Sequence, residues 1–232
     1  MARILLVSHE PEAAPAVVGE VLAARGLGVV VHTVLSTPGE TDVNDPDPRG
    51  FDAVVAFGSF ANAYDESARV WVAPEVELLQ MIVSEDVPHL GVCFGGQLLA
   101  ESLGGGVERS PASEQEIGLV AFEDIPRHGL PAGPWFTWHD DRIVHPDDIE
   151  VLSRSANAIQ LLRHGRASGT QFHPEVDASL VGSWLSIGGD HVPDHTTPAD
   201  VLGAVESNTE ALRANCEHLM EWFLSDIAMI GS

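Results

Sequence analysis

Along the chain, short runs of β-branched and aliphatic residues alternate with segments whose apolar positions recur at helical spacing. Ile4 to Ser8 reads as a first strand. Glu12 to Arg25 reads as a helix, with Ala, Val and Leu at helical intervals and Gly26 as its stop. Gly28 to Leu35 reads as a second strand, and Thr37 to Gly50, rich in Pro, Asp and Gly, as a loop. Asp52 to Phe57 and His89 to Val92 read as short buried strands, separated by a helix over Ala68 to Ser84, and a further helix runs from Gly95 to Leu103. This alternation predicts an α/β fold: an open, mostly parallel sheet flanked by helices on both faces, a flavodoxin-like three-layer arrangement.

The pattern changes from Val107 to Phe172. Strands are expected over Ile117 to Phe122, Trp135 to Trp138, Ile149 to Ser155, Ala158 to His164 and Ser168 to Phe172, with no helical spacing between them. They predict a β-rich extension and a hairpin that returns to the main sheet. Pro198 to Ile227 reads as one long C-terminal helix, with Leu202, Val205, Leu212, Leu219 and Phe223 on its apolar stripe. No internal repeat, low-complexity run or linker interrupts the pattern, so residues 1–232 are expected to form a single domain.

Charge removes several classes of function. The chain has 11 basic and 35 acidic residues, a net charge of −24, which would repel nucleic acid phosphates and anionic membrane surfaces. Neither is expected as a partner. All the basic residues are arginine, so lysine chemistry such as a Schiff base or a P-loop lysine is excluded from this chain. No apolar run approaches the roughly 20 residues of a membrane span. The opening Met1-Ala2-Arg3-Ile4-Leu5-Leu6-Val7-Ser8 lacks the apolar stretch and cleavage site of a signal peptide, and reads as the first strand of a cytoplasmic protein. The two cysteines, Cys93 and Cys216, do not suggest a disulfide framework.

The two cysteines sit in different settings. Cys216 lies in a helical pattern and reads as an ordinary helix residue. Cys93 falls between an apolar strand and a glycine pair, in Gly91-Val92-Cys93-Phe94-Gly95-Gly96-Gln97. A nucleophile on a sharp strand-to-helix turn is exposed above its sheet. Glycines make room for such a turn, and the free N–H groups of the helix start favour a thiolate and can face a developing oxyanion. The bland alternative is a buried structural cysteine beside a helix-starting glycine pair. A thiol nucleophile needs a base. Gly169-Thr170-Gln171-Phe172-His173-Pro174-Glu175 places a histidine at the end of another expected strand. Parallel strands of an open α/β sheet end on one edge, so His173 can meet Cys93, with Glu175 orienting the imidazole. Each motif alone has a structural reading; together they are much more specific.

Those residues resemble the class I glutamine amidotransferases, and most closely the glutaminase domain of GMP synthase and free-standing proteins like it. The similarity runs from about Ile4 to Glu175 and includes Leu103-Gly104-Gly105, Glu116-Ile117-Gly118, Trp138-His139-Asp140 and Ser168-Gly169-Thr170-Gln171-Phe172. The resemblance implies that Cys93 attacks the γ-amide of glutamine to form a γ-glutamyl thioester. His173 would pass the proton to ammonia and then activate water. Gln97 and His139 would contact substrate. Backbone N–H groups near Phe94 and in the Gly58-Ser59 loop would form the oxyanion hole. That loop departs from the family, which usually has Gly-Gly-Pro where this chain has Gly58-Ser59-Phe60. A serine has fewer φ/ψ combinations open to it than a glycine, so the oxyanion geometry and the mouth of the site are where a difference is expected.

Three functions follow for comparison. One is a glutaminase that makes ammonia for a separate synthase subunit. Another is a stand-alone hydrolase of a γ-glutamylated small molecule. The third is a non-catalytic binding protein of the same fold, disfavoured by the joint presence of Cys93, His173 and Glu175. None needs a cofactor or metal. His191-Val192-Pro193-Asp194-His195 and Asp190 have metal-ligand spacing but read as a solvated loop without a further ligand cluster. Trp184 and Trp222 read as packing residues.

Overall fold

The computed structural model describes residues 1–35, 46–144, 148–189, 192–193 and 196–231. Strand β1 (Arg3–Ser8) shows why three layers form. Its alternating side chains face opposite sides of the sheet, Ile4 and Leu6 into one apolar core and Leu5 into another. With both faces apolar, helices must cover both. On the Ile4 side lie α1 (Ala16–Ala24) and α6 (Thr209–Trp222), which contribute Val18, Val21, Leu22, Leu219 and Met220. On the Leu5 side lie α2 (Arg69–Ser84) and α3 (Phe94–Ser102), which contribute Trp71, Val72, Leu79, Phe94 and Leu98.

The main sheet has seven strands in the order β2-β1-β3-β4-β11-β10-β9. Strands β2 (Gly28–Thr33), β3 (Ala53–Ala56), β4 (His89–Val92) and β11 (Ala167–Thr170) join β1 in a parallel block. Strands β10 (Ile159–His164) and β9 (Glu150–Arg154) extend it antiparallel. The pairing of β4 with β11 aligns Val92 with Thr170, so the two chains leave the sheet side by side at its carboxyl edge. That register brings positions about 80 apart in sequence into one site.

The β-rich extension contains two separate two-stranded ribbons. One pairs β6 (Glu116–Val120) with β7 (Trp135–His139); the other pairs β5 (Gly106–Arg109) with β8 (Asp141–Val144), strands absent from the sequence expectation. An isolated bridge between Phe136 and His173 ties β7 to the end of the main sheet.

Two further expectations are corrected. Helix α4 (Ala178–Gly188) occupies a stretch to which the sequence pattern assigned no element. Its glycines and serines weaken helix propensity, but the Asp177 side chain accepts the Leu180 N–H at 2.7 Å and caps its start. The C-terminal tail is not one helix. It divides into α5 (Pro198–Ser207) and α6 at Asn208, whose φ of −118° and ψ of 13° leave helical space, and it ends in a π turn over Phe223–Ile227. A capping box between Thr197 and Asp200 with Pro198 at the first helical position starts α5. The break lets Val201 and Val205 pack with α4, while Leu219 and Met220 pack on the main sheet.

Candidate active site

The turn between β4 and α3 is sharp because its backbone is forced to be. Cys93 has φ 51° and ψ −104°, a combination that non-glycine residues rarely adopt. Neighbours hold it there: the Cys93 N–H donates to the Thr170 carbonyl at 2.7 Å, and the Gly95 N–H to the Phe57 carbonyl at 3.1 Å. The flanking glycines are needed for close approach. A Cβ on Gly91 would lie 2.4 Å from the Gly95 carbonyl carbon and oxygen, and one on Gly95 would lie 2.5 Å from the Ala56 carbonyl oxygen. The result is a cysteine raised above the carboxyl edge of the sheet at the first turn of a helix.

His173 reaches this cysteine from beside β11. Its backbone N–H donates to the Phe136 carbonyl at 2.7 Å, which anchors it between the main sheet and β7. Its Nδ1 lies 2.7 Å from Glu175 Oε1, so a proton is held on Nδ1, while the ring and the Cys93 thiol line the same cavity. Burial disfavours the imidazolium, but the charges of Glu175 and Cys93 outweigh it and hold the His173 pKa well above its ordinary value. Trp184 from α4 packs edge-on against the imidazole at 4.9 Å. Glu175 is 1 % exposed, and its backbone carbonyl accepts the Val17 N–H at the start of α1, fixing the carboxylate's base.

Beside Cys93 and His173 is a cavity of about 430 Å³, which Glu175 does not line. Gly58, Ser59, Phe94, Gln97 and His139 all line it, together with Cys93 and His173. The Gln97 amide lies 3.4 Å from Gln171 Oε1, and Gln171 Nε2 donates to Cys93 Sγ at 3.4 Å, a thiol partner that sequence reasoning did not single out. His139 shows its ring to the cavity, but its nitrogens face inward: Nδ1 to the Asp141 carbonyl at 3.0 Å and Nε2 to Glu116 at 3.2 Å. Asp141 is buried and accepts from Asn62 at 2.6 Å and Tyr64 at 2.9 Å, which pins the loop after Ser59. Arg109 and Asp140 form an ion pair at the rim, 3.5 Å apart.

Ser59 takes the place of the family's glycine without left-handed strain, since the described non-glycine residues with positive φ are Ala16, Asp86, Cys93 and Met229. Its hydroxyl donates to Glu10 at 2.7 Å and accepts the Ala61 N–H at 3.0 Å, so the side chain is turned into the loop's own scaffold. The backbone N–H groups of Ser59 and Phe94 have no protein acceptor among the described residues. Both residues line the cavity beside Cys93.

Cys216 is elsewhere. It is fully buried in the core under α6, and burial pushes its thiol far up. Trp184 does pack in the core of α4, as expected, but it also forms cavity wall beside His173. Asp190, His191, Asp194 and His195 lie outside the described residues. Among the described residues no cluster of three or more His, Cys, Asp or Glu side chains is placed to hold a metal.

Comparison with known proteins identifies the family. Residues 18–185 match the profile of the glutamine amidotransferase class-I family. The chain belongs to that family. It is 37 % identical over 144 residues to a glutamine-hydrolyzing GMP synthase of Thermomicrobium roseum, covering 59 % of this chain and 25 % of that protein. It is 36 % identical over 155 residues to a shorter relative from Sulfolobus acidocaldarius, one subunit of a glutamine-hydrolyzing GMP synthase, covering 63 % of this chain and 77 % of that one. The chain thus spans from a quarter to under a half of the length of the larger synthases it matches. Among solved structures, a glutamine amidotransferase of Thermotoga maritima superposes with a TM-score of 0.81 at 24 % identity, covering 96 % of this amidotransferase and 98 % of that chain. A second, from Methylobacillus flagellatus, gives 0.81 at 23 %, covering 98 % and 96 %. These likenesses establish the shared fold. No helix among the described residues is long and apolar enough to cross a membrane.

Proposed function

We propose that this class I glutamine amidotransferase hydrolyses the γ-amide of glutamine through a thioester on Cys93. The observation that carries the reading is one group of residues: Cys93 on its strained turn, His173 lining the same cavity, and Glu175 2.7 Å from His173 Nδ1. Cys93 passes its thiol proton to His173 Nε2 as its sulfur attacks the γ-carbonyl carbon. The oxygen takes the negative charge and is met by the Ser59 and Phe94 N–H groups. The C–N bond then breaks as His173 gives its Nε2 proton to the departing nitrogen, leaving ammonia and the thioester. Water adds next, its proton passing to His173, and the C–S bond breaks to release glutamate and restore the thiol. Glu175 keeps the imidazole in the tautomer that both steps need.

Ammonia released in this way would serve a synthase carried on a separate polypeptide. The likeness to the Sulfolobus acidocaldarius GMP synthase component supports that reading. The setting proposed is the cytoplasm, where a thiol nucleophile is kept reduced. The test is release of ammonia and glutamate from glutamine by the purified protein, with Cys93→Ala as control. Release that survives in the control would overturn the assignment of Cys93.

A second reading, hydrolysis of a γ-glutamylated small molecule, is favoured by the wall beside His173. The departing nitrogen must lie near His173, and the cavity there is bounded by Trp138, Trp184 and Ile187, with Phe60 at the mouth. A volume of about 430 Å³ is within the range of sites for molecules larger than an amino acid. Comparing kcat/KM for glutamine with γ-glutamyl amides of aliphatic and aromatic amines separates the two. Preference for glutamine supports the glutaminase, and preference for a substituted amide supports the hydrolase.

A further inference from the structure

His9 lies at the end of β1, is fully buried, and takes no part in the chemistry described above. Its Nδ1 is 2.9 Å from the Gly58 carbonyl oxygen, and its Nε2 is 2.9 and 3.1 Å from the two oxygens of Glu75 on α2. The rings of Phe94 and Trp71 pack against it at 4.9 and 5.7 Å and leave it little freedom to turn. Both polar partners are acceptors: a backbone carbonyl has no proton to give, and neither has a carboxylate. A neutral imidazole has one N–H, so it would satisfy one partner and set a lone pair against the other. The doubly protonated ring satisfies both.

The Gly58 carbonyl is half of the peptide that joins Gly58 to Ser59. In a trans peptide the C=O of one residue and the N–H of the next point in opposite directions. Fixing the carbonyl toward His9 therefore turns the Ser59 N–H away from His9, and both Gly58 and Ser59 line the cavity that holds Cys93. On the cavity side, a Cβ at Gly58 would come within 3.2 Å of the His173 ring, so this peptide is wedged between two histidines with opposite tasks.

We propose that His9 is a positioning residue for the oxyanion hole: clamped between Glu75 and the Gly58 carbonyl with a proton on each ring nitrogen, it sets the 58–59 peptide plane so that the Ser59 N–H faces the reacting carbonyl. This rests on the amide-hydrolysis reading of the Cys93 site. Among the described residues, the charged groups that act on the ring are Glu75 from α2 and Glu10 from the loop after β1, while His173 lies near the other side of Gly58. Burial opposes the charge on His9, but the field and hydrogen bond of Glu75, followed by Glu10 and the Gly58 carbonyl, outweigh it and push the pKa up to about 9. Burial also raises the pKa of Glu10, whose hydrogen bonds from Ser59 and Phe60 hold the same loop from its other side. The clamp is complete at neutral pH and loses one of its two bonds as pH rises through about 9.

The test uses two isosteric variants and one charge variant. In His9→Asn the side-chain amide nitrogen takes the place of Nδ1 and keeps a donor to Gly58. In His9→Gln it takes the place of Nε2 and leaves the Gly58 carbonyl without one. His9→Gln is expected to lose about 10²-fold in kcat with KM changed less than about threefold, the loss seen when an oxyanion donor is misdirected, while His9→Asn stays within about fivefold of the parent. Glu75→Gln can donate its amide N–H to Nε2, so a neutral His9 keeps its Nδ1 proton on Gly58. It is expected to keep its activity near neutral pH and to lose the component of alkaline decline near pH 9. Equal loss in both His9 variants, loss in neither, or an unchanged alkaline limb in Glu75→Gln would overturn the proposal. Nitrogen-15 NMR reads the clamp without turnover. His9 should carry both protons at pH 7, and the Ser59 amide should shift as His9 titrates, in the parent but not in Glu75→Gln. A singly protonated His9 at pH 7 overturns the clamp whatever the activity. A doubly protonated His9 in a protein that hydrolyses no γ-glutamyl amide refutes the catalytic reading instead.

Discussion

Gly95→Ala perturbs the nucleophile turn without touching a reacting group. The new Cβ would sit 2.5 Å from the Ala56 carbonyl oxygen, 2.9 Å from its carbon and 3.1 Å from its side chain. Ordinary contact begins near 3.4 Å, so the start of α3 must retreat from β3 by somewhat under 1 Å. Ala56 is central in the sheet and cannot yield as a flexible side chain would. Overpacking of this kind costs about 1–3 kcal/mol. For a chain of this size that corresponds to a fall in Tm of roughly 2–12 °C. The kinetic effect is expected to be larger than the thermal one. The same movement displaces Phe94 N–H and the neighbouring Cys93, and a displacement of about 1 Å at reacting atoms costs about 10²-fold in rate. Gly182→Ala in α4 is the matched control. Its Cβ would meet nothing within 4 Å, and alanine favours a helix over glycine by about 1 kcal/mol, so Tm should rise slightly with activity intact. The assay is glutamate release by steady-state kinetics, paired with thermal denaturation of each variant. Gly95→Ala with kcat within threefold of the parent and an unchanged Tm would refute the claim that close backbone approach shapes the site.

Cys93→Ala is expected to abolish turnover of γ-glutamyl amides, whereas Cys216→Ala, a change in the buried core, should lower Tm but leave kcat within about twofold; loss in both folded variants would contradict the assignment. Because the pKa of His173 is raised in the folded state, its charge adds stability that is complete below the unfolded value of about 6.5 and is lost as pH rises through the higher folded value. Glu175→Gln should therefore flatten the fall of unfolding free energy with pH on the alkaline side, as measured by urea titrations across pH; an unchanged slope would show that Glu175 does not hold that charge. Asp141→Ala releases Asn62 and Tyr64 and unpins the loop after Ser59, so kcat/KM should fall about tenfold with a small change in Tm; normal kinetics would mean that the loop is held in place without it.

The fold class was legible because periodicity is a local property. The alternation of Ile4, Leu5 and Leu6 already requires two covered faces, and His89 to Val92 ends where the pattern says it should. Failures occurred where tertiary contact outweighs local preference. Helix α4 is rich in Gly and Ser and is held by its Asp177 cap and the core around Trp184. The tail breaks at Asn208 because its two halves pack on different partners, although one apolar stripe runs through both. Strands β5 and β8 are only four residues each and exist as a pair, which no single-segment pattern reveals.

By itself, then, the sequence determined the α/β architecture, the strand-to-helix turn at Cys93 and the choice of His173 and Glu175 as its companions. These follow from residue type, short spacing and the rule that parallel strands end on one edge. Only the tertiary structure decided which other groups meet them. Gln171 at the thiol, Trp184 at the imidazole, and His9 between Glu75 and the Gly58 carbonyl come from elements far apart in the chain. Their meeting depends on strand register, on where α4 packs and on peptide orientation, and these are set by the packing of the whole chain rather than by any local segment.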